Sequence, residues 1–570
     1  MIYSKVVAAV GCSLLLGACG KTPAPGHDDA SPGAVNASQA IPAIDMDRYR
    51  RDIEVLSSDA FGGRAPSTEG ETKTVRYLID AFAEAGLVGG NNGSFEQDVP
   101  LVAITATEVA PLRFSDGEQE VVMRMGDEAV AWTKRVTESV SVTDSEVVFV
   151  GYGIVAPEYD WNDYDGIDVT GKTVVMLVND PGFATGDESL FTGNRMTYYG
   201  RWTYKFEEAA RQGASGAIVV HETAAAGYPW GVVEGGSTGP RFDLVRADNN
   251  ASRAVFEGWV TTPAAEQLFA AFGHDYAALS AAAAKPGFDA VRLGARVSTA
   301  ISNSLERSMS KNVVALLPGS DAPDETVAFS AHWDHLGIDP NIEGDNIYNG
   351  AADNATGTAA LLALARVLSQ ETHRRSYLFI ALTAEESGLL GSAWFADNPT
   401  VPLATMAGLI NMDAMNPIGA TRDVIVVGYG SSELEALLEQ SATEQQRVLV
   451  PETTPEKGFF YRSDHFNFAK RGVPVLYAKA GVDHVQYGRE YGLEQAAKHT
   501  AERYHQPSDE IHDGWDFGGI EQDLNLYLGV ARTLGDRKSW PNWFAGNEFR
   551  QLRDASAAAR AADRNDAVDD

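Results

Sequence analysis

The chain reads as an α/β protein: a mixed, mostly parallel sheet flanked by helices, with a smaller β-rich α/β domain inserted into it. Three observations predict this. From about residue 300 onward, short unbroken apolar runs alternate with helical spacing, the pattern of strands covered by helices on both faces. A second group of strand-like runs fills 140–290. The length of 570 residues also exceeds one core, because single cores stop growing at roughly 250–300 residues.

The elements follow in order. Lys5 precedes an apolar stretch from Val6 to Ala18, which is too short to span about 30 Å of hydrocarbon comfortably and reads as a signal peptide, 1–18. Leu16-Gly17-Ala18-Cys19 resembles a bacterial lipobox. That likeness implies a lipid on Cys19, contact with a membrane through it, and an outer-membrane site facing the periplasm. Residues 19–43 are rich in Pro, Gly, Ala and Ser and read as a flexible tether. The larger domain is expected over 44–139 and 291–545. Apolar residues recur at helical spacing over 47–60 and 70–86, with Tyr77, Leu78, Phe82 and Ala85 sharing a face.

The insert, 140–290, shows strands at 146–153, 172–178 and 216–220 and a helix at 202–212. Its segment GYGIVAPEYDWNDYDGIDVTGKTVVML resembles a protease-associated (PA) domain. Beyond it, 312–317, 326–330, 377–382, 407–412 and 473–478 read as strands and 355–369 as a helix. The Ala-, Asp- and Arg-rich tail, 546–570, is expected to be frayed or weakly helical.

The net charge of −34 argues against nucleic-acid partners, whose binding rests on Lys and Arg. The two Cys allow at most one disulfide. Both lie in the first 19 residues, so a chain cut before Cys19 and lipidated on it keeps neither a disulfide nor a free thiol.

In open α/β sheets, sites lie at the carboxyl ends of strands. Here those ends carry His332-Trp333-Asp334-His335, the Glu385-Glu386 pair and Asp413. Asp353 stands before a helix, and Tyr504-His505 lies far downstream. A single His near an Asp is usually a surface hydrogen bond, and an Asp before a helix is usually a cap. The ordered set is what points to metal ligation. A Ser-nucleophile reading fails for want of a G-x-S-x-G elbow, and a dinucleotide reading for want of G-x-G-x-x-G.

AHWDHLG, NGAADNATG, LTAEESGLLGS, NMDAM, YRSDHFNFAKRGVPV and YHQPSDE, over about 330–510, resemble the co-catalytic zinc exopeptidases of metallopeptidase family twenty-eight, in the glutamate carboxypeptidase-like superfamily. LSSDAFGGRAPSTEGE, within 50–100, is similar to that family's N-terminus. The resemblance implies a zinc exopeptidase fold and two Zn²⁺ per chain. His332, Asp353 and Asp413 would hold one ion and Asp353, Glu386 and His505 the other, with Asp353 shared. Such mixed imidazole and carboxylate ligation suits zinc.

The likeness also implies that Glu385 is general base and acid and that Tyr504 donates its hydroxyl to the oxyanion. Asp334 would orient His332, and Asp509 would do the same for His505. Arg462 and Asp464 would lie on the substrate side, and the Asp353–Asn354 peptide would be cis. His335, His465 and His484 are read as non-ligands.

The leading expectation is an aminopeptidase acting on peptides. The rivals are a glutamate-releasing carboxypeptidase or dipeptidase, a non-catalytic binding protein on the same scaffold, and a cyclase-type acyltransferase. Oligomeric state is not readable from the sequence.

Overall fold

The computed structural model describes residues 42–566. The expected signal peptide, the Cys19 lipid site and most of the tether lie outside the described residues. Pro42 onward forms one compact unit. No described helix is long and apolar enough to cross a membrane.

Helix α1 (Met46–Leu56) is capped by Asp45, which accepts from the Arg48 amide. Helix α2 (Glu69–Glu84) is capped by Thr68. Such side-chain acceptors satisfy amides that a first turn leaves unpaired. Between the helices runs a tight turn, Asp59–Arg64, with Gly62 and Gly63 in the left-handed region. A Cβ on Gly63 would lie 2.4 Å from the Gly337 carbonyl oxygen, so only glycine permits this approach.

The strands that matter are β1 (Glu96–Val109), β2 (Ser139–Phe149), β3 (Thr173–Leu177), β4 (Gly216–His221), β5 (Phe256–Thr261) and β6 (Val291–Leu317). After them come β7 (Ala322–His332), helix α3 (Thr356–Leu368), β8 (Arg375–Leu382), β9 (Met406–Asn411), β10 (Val475–Ala480), and helices α4 (Gly488–Glu502) and α5 (Arg550–Asp566).

Two groups of parallel strands result. In the first, β2, β3, β4 and β5 lie side by side in that order. In the second, β8, β7, β9 and β10 do the same. Strand β6 joins them: its early residues pair antiparallel with β2 and its last five with β8.

Each group has its own apolar core. One includes Phe329, Leu361, Phe379, Ile410 and Leu476, and the other Phe149, Val175, Ile218, Phe256 and Val297. The second core reaches from Leu112 to Ile301, so limits of 140–290 cut through it. The reason is physical: short strands within 112–132 supply one flank, and β6 crosses the boundary without a break.

Of the two expectations for the tail, frayed or weakly helical, the helix is what forms, over Arg550–Asp566. Helix α5 docks through buried Arg553, which donates to the carbonyls of Met406, Ala407 and Pro541 at 2.9, 3.0 and 3.2 Å.

Candidate metal centre

The parallel strands β7, β8 and β9 end on the same side, and their ends carry the acid and imidazole groups. His332 closes β7, Glu385 and Glu386 follow β8, and Asp413 follows β9 by two residues. Asp353 lies in the turn 351–355 that feeds α3, and His505 follows α4 with φ +57°. The Asp353–Asn354 peptide is cis. Gly350 opens the turn at φ +54°, where a Cβ would sit 2.2 Å from the Asp353 carbonyl oxygen.

Asp353 is the hub. Its Oδ1 lies 3.3 Å from His332 Nε2, and its Oδ2 lies 3.4 Å from His505 Nε2. Asp413 Oδ1 completes one side, 3.5 Å from His332 Nε2. Glu386 Oε2 completes the other, 3.0 Å from His505 Nε2. Two donors on one tetrahedral zinc ion, at ordinary Zn–N and Zn–O lengths, sit about 3.4 Å apart. The donor types and their spacing therefore fit zinc on both sides of Asp353.

The surrounding layer holds backbone as much as side chains. The Asp334 carboxylate accepts from the amides of Glu385 and Glu386 at 3.1 and 3.4 Å, while its carbonyl oxygen lies 3.2 Å from His332 Nδ1. Its carboxylate also lies 3.9 Å from the same Nδ1, so it faces the imidazole with backbone and side chain and the Glu pair with its side chain. Asp509 accepts from the amides of Ala352 and Asp353, both at 3.0 Å. It fixes the Asp353 turn, whereas the expected contact was with the imidazole of His505.

His335 is more involved than a bystander. Its Nδ1 is 2.7 Å from Glu386 Oε1, and its ring is 5.8 Å from that of His505. With Asp353 and Glu386 it brings three ligand-type atoms within 4.8 Å of one another. The available signal was its place in the same loop as His332. His465 is buried between Phe460 and Tyr477, and burial drives its pKa down to about 3. The Tyr477 hydroxyl donates to Asp413 at 3.3 Å. His484 Nδ1 accepts from the amides of Gln486 and Tyr487.

The electrostatics are those of an acidic pocket. Burial pushes the Glu385 carboxyl well above its usual range, against the pull of His332; Glu386, Asp413 and Asp464 push it further. Burial works against charge on His332, yet Glu385, Asp353 and Asp413 hold its pKa well above normal. Burial opposes charge on His505 as well, but Asp353 and Glu386 raise its pKa to about 10. Asp353 stays well below its usual range despite burial, because both imidazoles contact it.

Tyr504 is exposed and stacks on His505, with ring centroids 3.9 Å apart. Arg462 is exposed, its guanidinium over the Phe459 ring at 5.4 Å. Asp464 departs from the substrate-side expectation. It is 0% exposed, and a carboxylate without surface has nothing to offer a substrate.

Comparison with known proteins adds independent findings. Residues 312–520 match the family model of Peptidase family M28. A probable zinc metalloprotease of Pyrenophora tritici-repentis is 25% identical over 240 residues, 40% of this chain and 51% of that protein. Aminopeptidase NAALADL1 of Mus musculus is 33% identical over 121 residues, 20% of this chain and 15% of that protein. The chain therefore spans about half the length of the first of these relatives and less of the second. Among solved structures, the aminopeptidase from Aneurinibacillus sp. strain AM-1 aligns with a TM-score of 0.46 and 19% identity, over 87% of this chain and 95% of that one. A zinc aminopeptidase from Bacillus subtilis aligns with a TM-score of 0.42 and 16% identity, over 90% and 98%.

Proposed function

We propose that this chain is a zinc metallopeptidase of the M28 family that removes N-terminal residues from peptides, with two metal ions per chain. One observation carries the reading: the two oxygens of Asp353 each face a different imidazole, with Asp413 and Glu386 closing the two sides. His332, Asp353 and Asp413 would hold one ion, and Asp353, Glu386 and His505 the other. When bound, the pair supplies Lewis acidity toward a peptide carbonyl and toward water.

The chain's own groups do the rest. Glu386 is engaged by His505 and His335, whereas Glu385 stands half-buried beside it. Glu385 takes the proton from the attacking water and hands it to the leaving amine. Burial first, and then the charges of Glu386, Asp413 and Asp464, raise its pKa and favour a carboxyl that holds a proton. Tyr504, stacked on His505, would donate its hydroxyl to the developing oxyanion.

The test is a metal assay followed by a panel of free-amine peptides and their N-acetylated forms. The reading expects about two zinc ions per chain and cleavage of the free-amine forms alone. Equal cleavage of acetylated peptides would sink the aminopeptidase assignment, and a zinc-free active enzyme would sink the whole reading.

A carboxypeptidase or dipeptidase reading has one observation in its favour. Arg201, from the inserted region, is 8% exposed; burial lowers its pKa, and Arg462 is the charge that weighs most on it. Two cations from different parts of the chain would suit a substrate carboxylate. Cleavage that requires a free C-terminus rather than a free amine would select it. For location, Cys19 is proposed as a lipid anchor to the outer membrane, tested by loss of membrane association in Cys19→Ser.

A further inference from the structure

Arg64 is a buried cation that the proposed chemistry leaves unused. It is 1% exposed and lies in the Gly62-Gly63-Arg64 turn, far in sequence from every ligand. Its guanidinium donates to four backbone carbonyls: Leu56 at 2.7 Å, Asn349 at 2.6 Å, Trp333 at 2.9 Å and Gly350 at 2.9 Å. Trp333 directly follows the ligand His332, and Asn349-Gly350 opens the turn that carries Asp353. One planar group thus ties together the two loops that present the ligands on either side of the 3.3 Å His332–Asp353 contact.

We infer that Arg64 is a positioning residue for the metal centre: its rigid fork sets the spacing between the loop after β7 and the Asp353 turn. The inference rests on the zinc reading above. The chemistry explains the choice of residue. Arginine offers five N–H donors in one fixed plane, whereas lysine offers three around a point charge. A lysine cannot meet four carbonyls spread over three segments, and each carbonyl left unpaired in a buried place loosens its loop. The setting also keeps the guanidinium charged. Burial lowers its pKa to about 10, but Asp509, Asp334, Asp353 and Glu386 oppose that fall. Arg64 joins loops on one side of the ligands, Asp334 ties the β7 loop to the Glu pair, and Asp509 ties the Asp353 turn to the His505 segment.

The test compares Arg64→Lys with Arg553→Lys in the full chain. Arg553 is an equally buried guanidinium that donates to three backbone carbonyls, two of them at the start of β9, the end opposite Asp413. Both variants lose bonds inside the fold, but only the first loses bonds to ligand loops. Metal-free protein is checked for fold by circular dichroism and then titrated with Zn²⁺ against a chromophoric chelator. Co²⁺ absorption reports ligand geometry.

The expected result is zinc binding weakened by about 10–100-fold in Arg64→Lys, the usual effect of losing an outer partner of a ligand. Its Co²⁺ spectrum should shift, while zinc affinity in Arg553→Lys stays within about twofold of the parent. Unchanged zinc affinity in Arg64→Lys, or equal losses in both variants, would overturn the inference. If neither Arg64→Lys nor Arg64→Gln folds without metal, Arg64 belongs to the fold rather than to the metal centre, and the inference falls as well. Failure of the parent to bind zinc is a separate outcome that removes the functional reading itself.

Discussion

Two regions of this molecule bury several carboxylates, and they treat them in opposite ways. In the smaller core, Asp180 accepts from the amides of Gly182, Phe183 and Thr197 and from the Thr197 hydroxyl. Asp163 accepts from the Ile154 amide and the Trp161 indole. Lys205, fully buried, lies among them, its pKa brought down to about 7 by burial against the pull of both acids. Negative charge there is met by backbone donors and one cation. At the ends of β7, β8 and β9, Asp353, Glu386 and Asp413 converge instead on three imidazoles and on one another, with Glu385 and Asp464 close by. A buried charge without compensation is strongly unfavourable. The first arrangement is met from within the fold, by backbone donors and by a cation that acts at a distance, its ammonium having no hydrogen-bond partner; the second calls for cations from solution.

Breaking the second arrangement should have the largest effects. Glu385→Gln keeps the shape of the side chain but removes the proton acceptor, so turnover should fall by about a thousandfold. Zinc content should match the parent, and a variant keeping more than a tenth of the parent rate would refute the role of Glu385. Asp353→Asn and Asp413→Asn separate the shared ligand from an unshared one. Metal analysis should find both zinc ions depleted in the first and about one per chain retained in the second. Equal depletion in the two would mean that Asp353 does not bridge.

A smaller effect concerns protons. Without metal, the carboxylates hold His505 protonated up to about pH 10 and keep the pKa of His332 well above its normal value. Zinc takes only neutral imidazole, so binding near pH 7 must release about two protons from the imidazoles, and Glu385, held protonated among its neighbours, adds to that when it becomes the proton acceptor. The metal-free state binds more protons than the loaded one, so zinc affinity rises with pH and falls on acidification. Calorimetric titration in buffers of different ionisation enthalpy measures the release directly. A result near zero would show that these imidazoles are already neutral.

What the sequence discloses follows from how local each signal is. The runs 326–330 and 377–382 fall inside β7 and β8, and 407–412 overruns β9 by one residue, because apolar strands covered on both faces leave a continuous pattern. His332, Glu386 and Asp413 were visible because they stand at or just past the ends of those strands, whereas Asp353 and His505 flank helices. The partners of Asp334 and Asp509 were not visible, since backbone amides of distant loops leave no mark in a sequence. Arg64 was hidden for the same reason. The limits of the inserted region were obscured because β6 serves both cores without a turn residue where they meet. The docking of helix α5 left no local mark because its anchors, Arg553 and Arg560, reach carbonyls about 150 residues earlier.

The mildest test falls on the compensated cluster, and it sharpens the contrast. Lys205→Met removes the buried cation, whose stem would be replaced by a chain of similar length. Asp180 and Asp163 would keep their backbone donors but lose the one charge that offsets them. The cost should be about 1–3 kcal/mol, because the ammonium acts on the two acids without a direct bond to either, read as a lower midpoint in urea unfolding. Turnover and zinc content should stay within about twofold of the parent, because no ligand-bearing loop contacts Lys205 among the bonds that hold the metal centre. A loss of zinc binding in this variant would erase the distinction between the two regions. An unchanged urea midpoint would show that backbone donors alone compensate the two acids, which would leave the cation without a structural role.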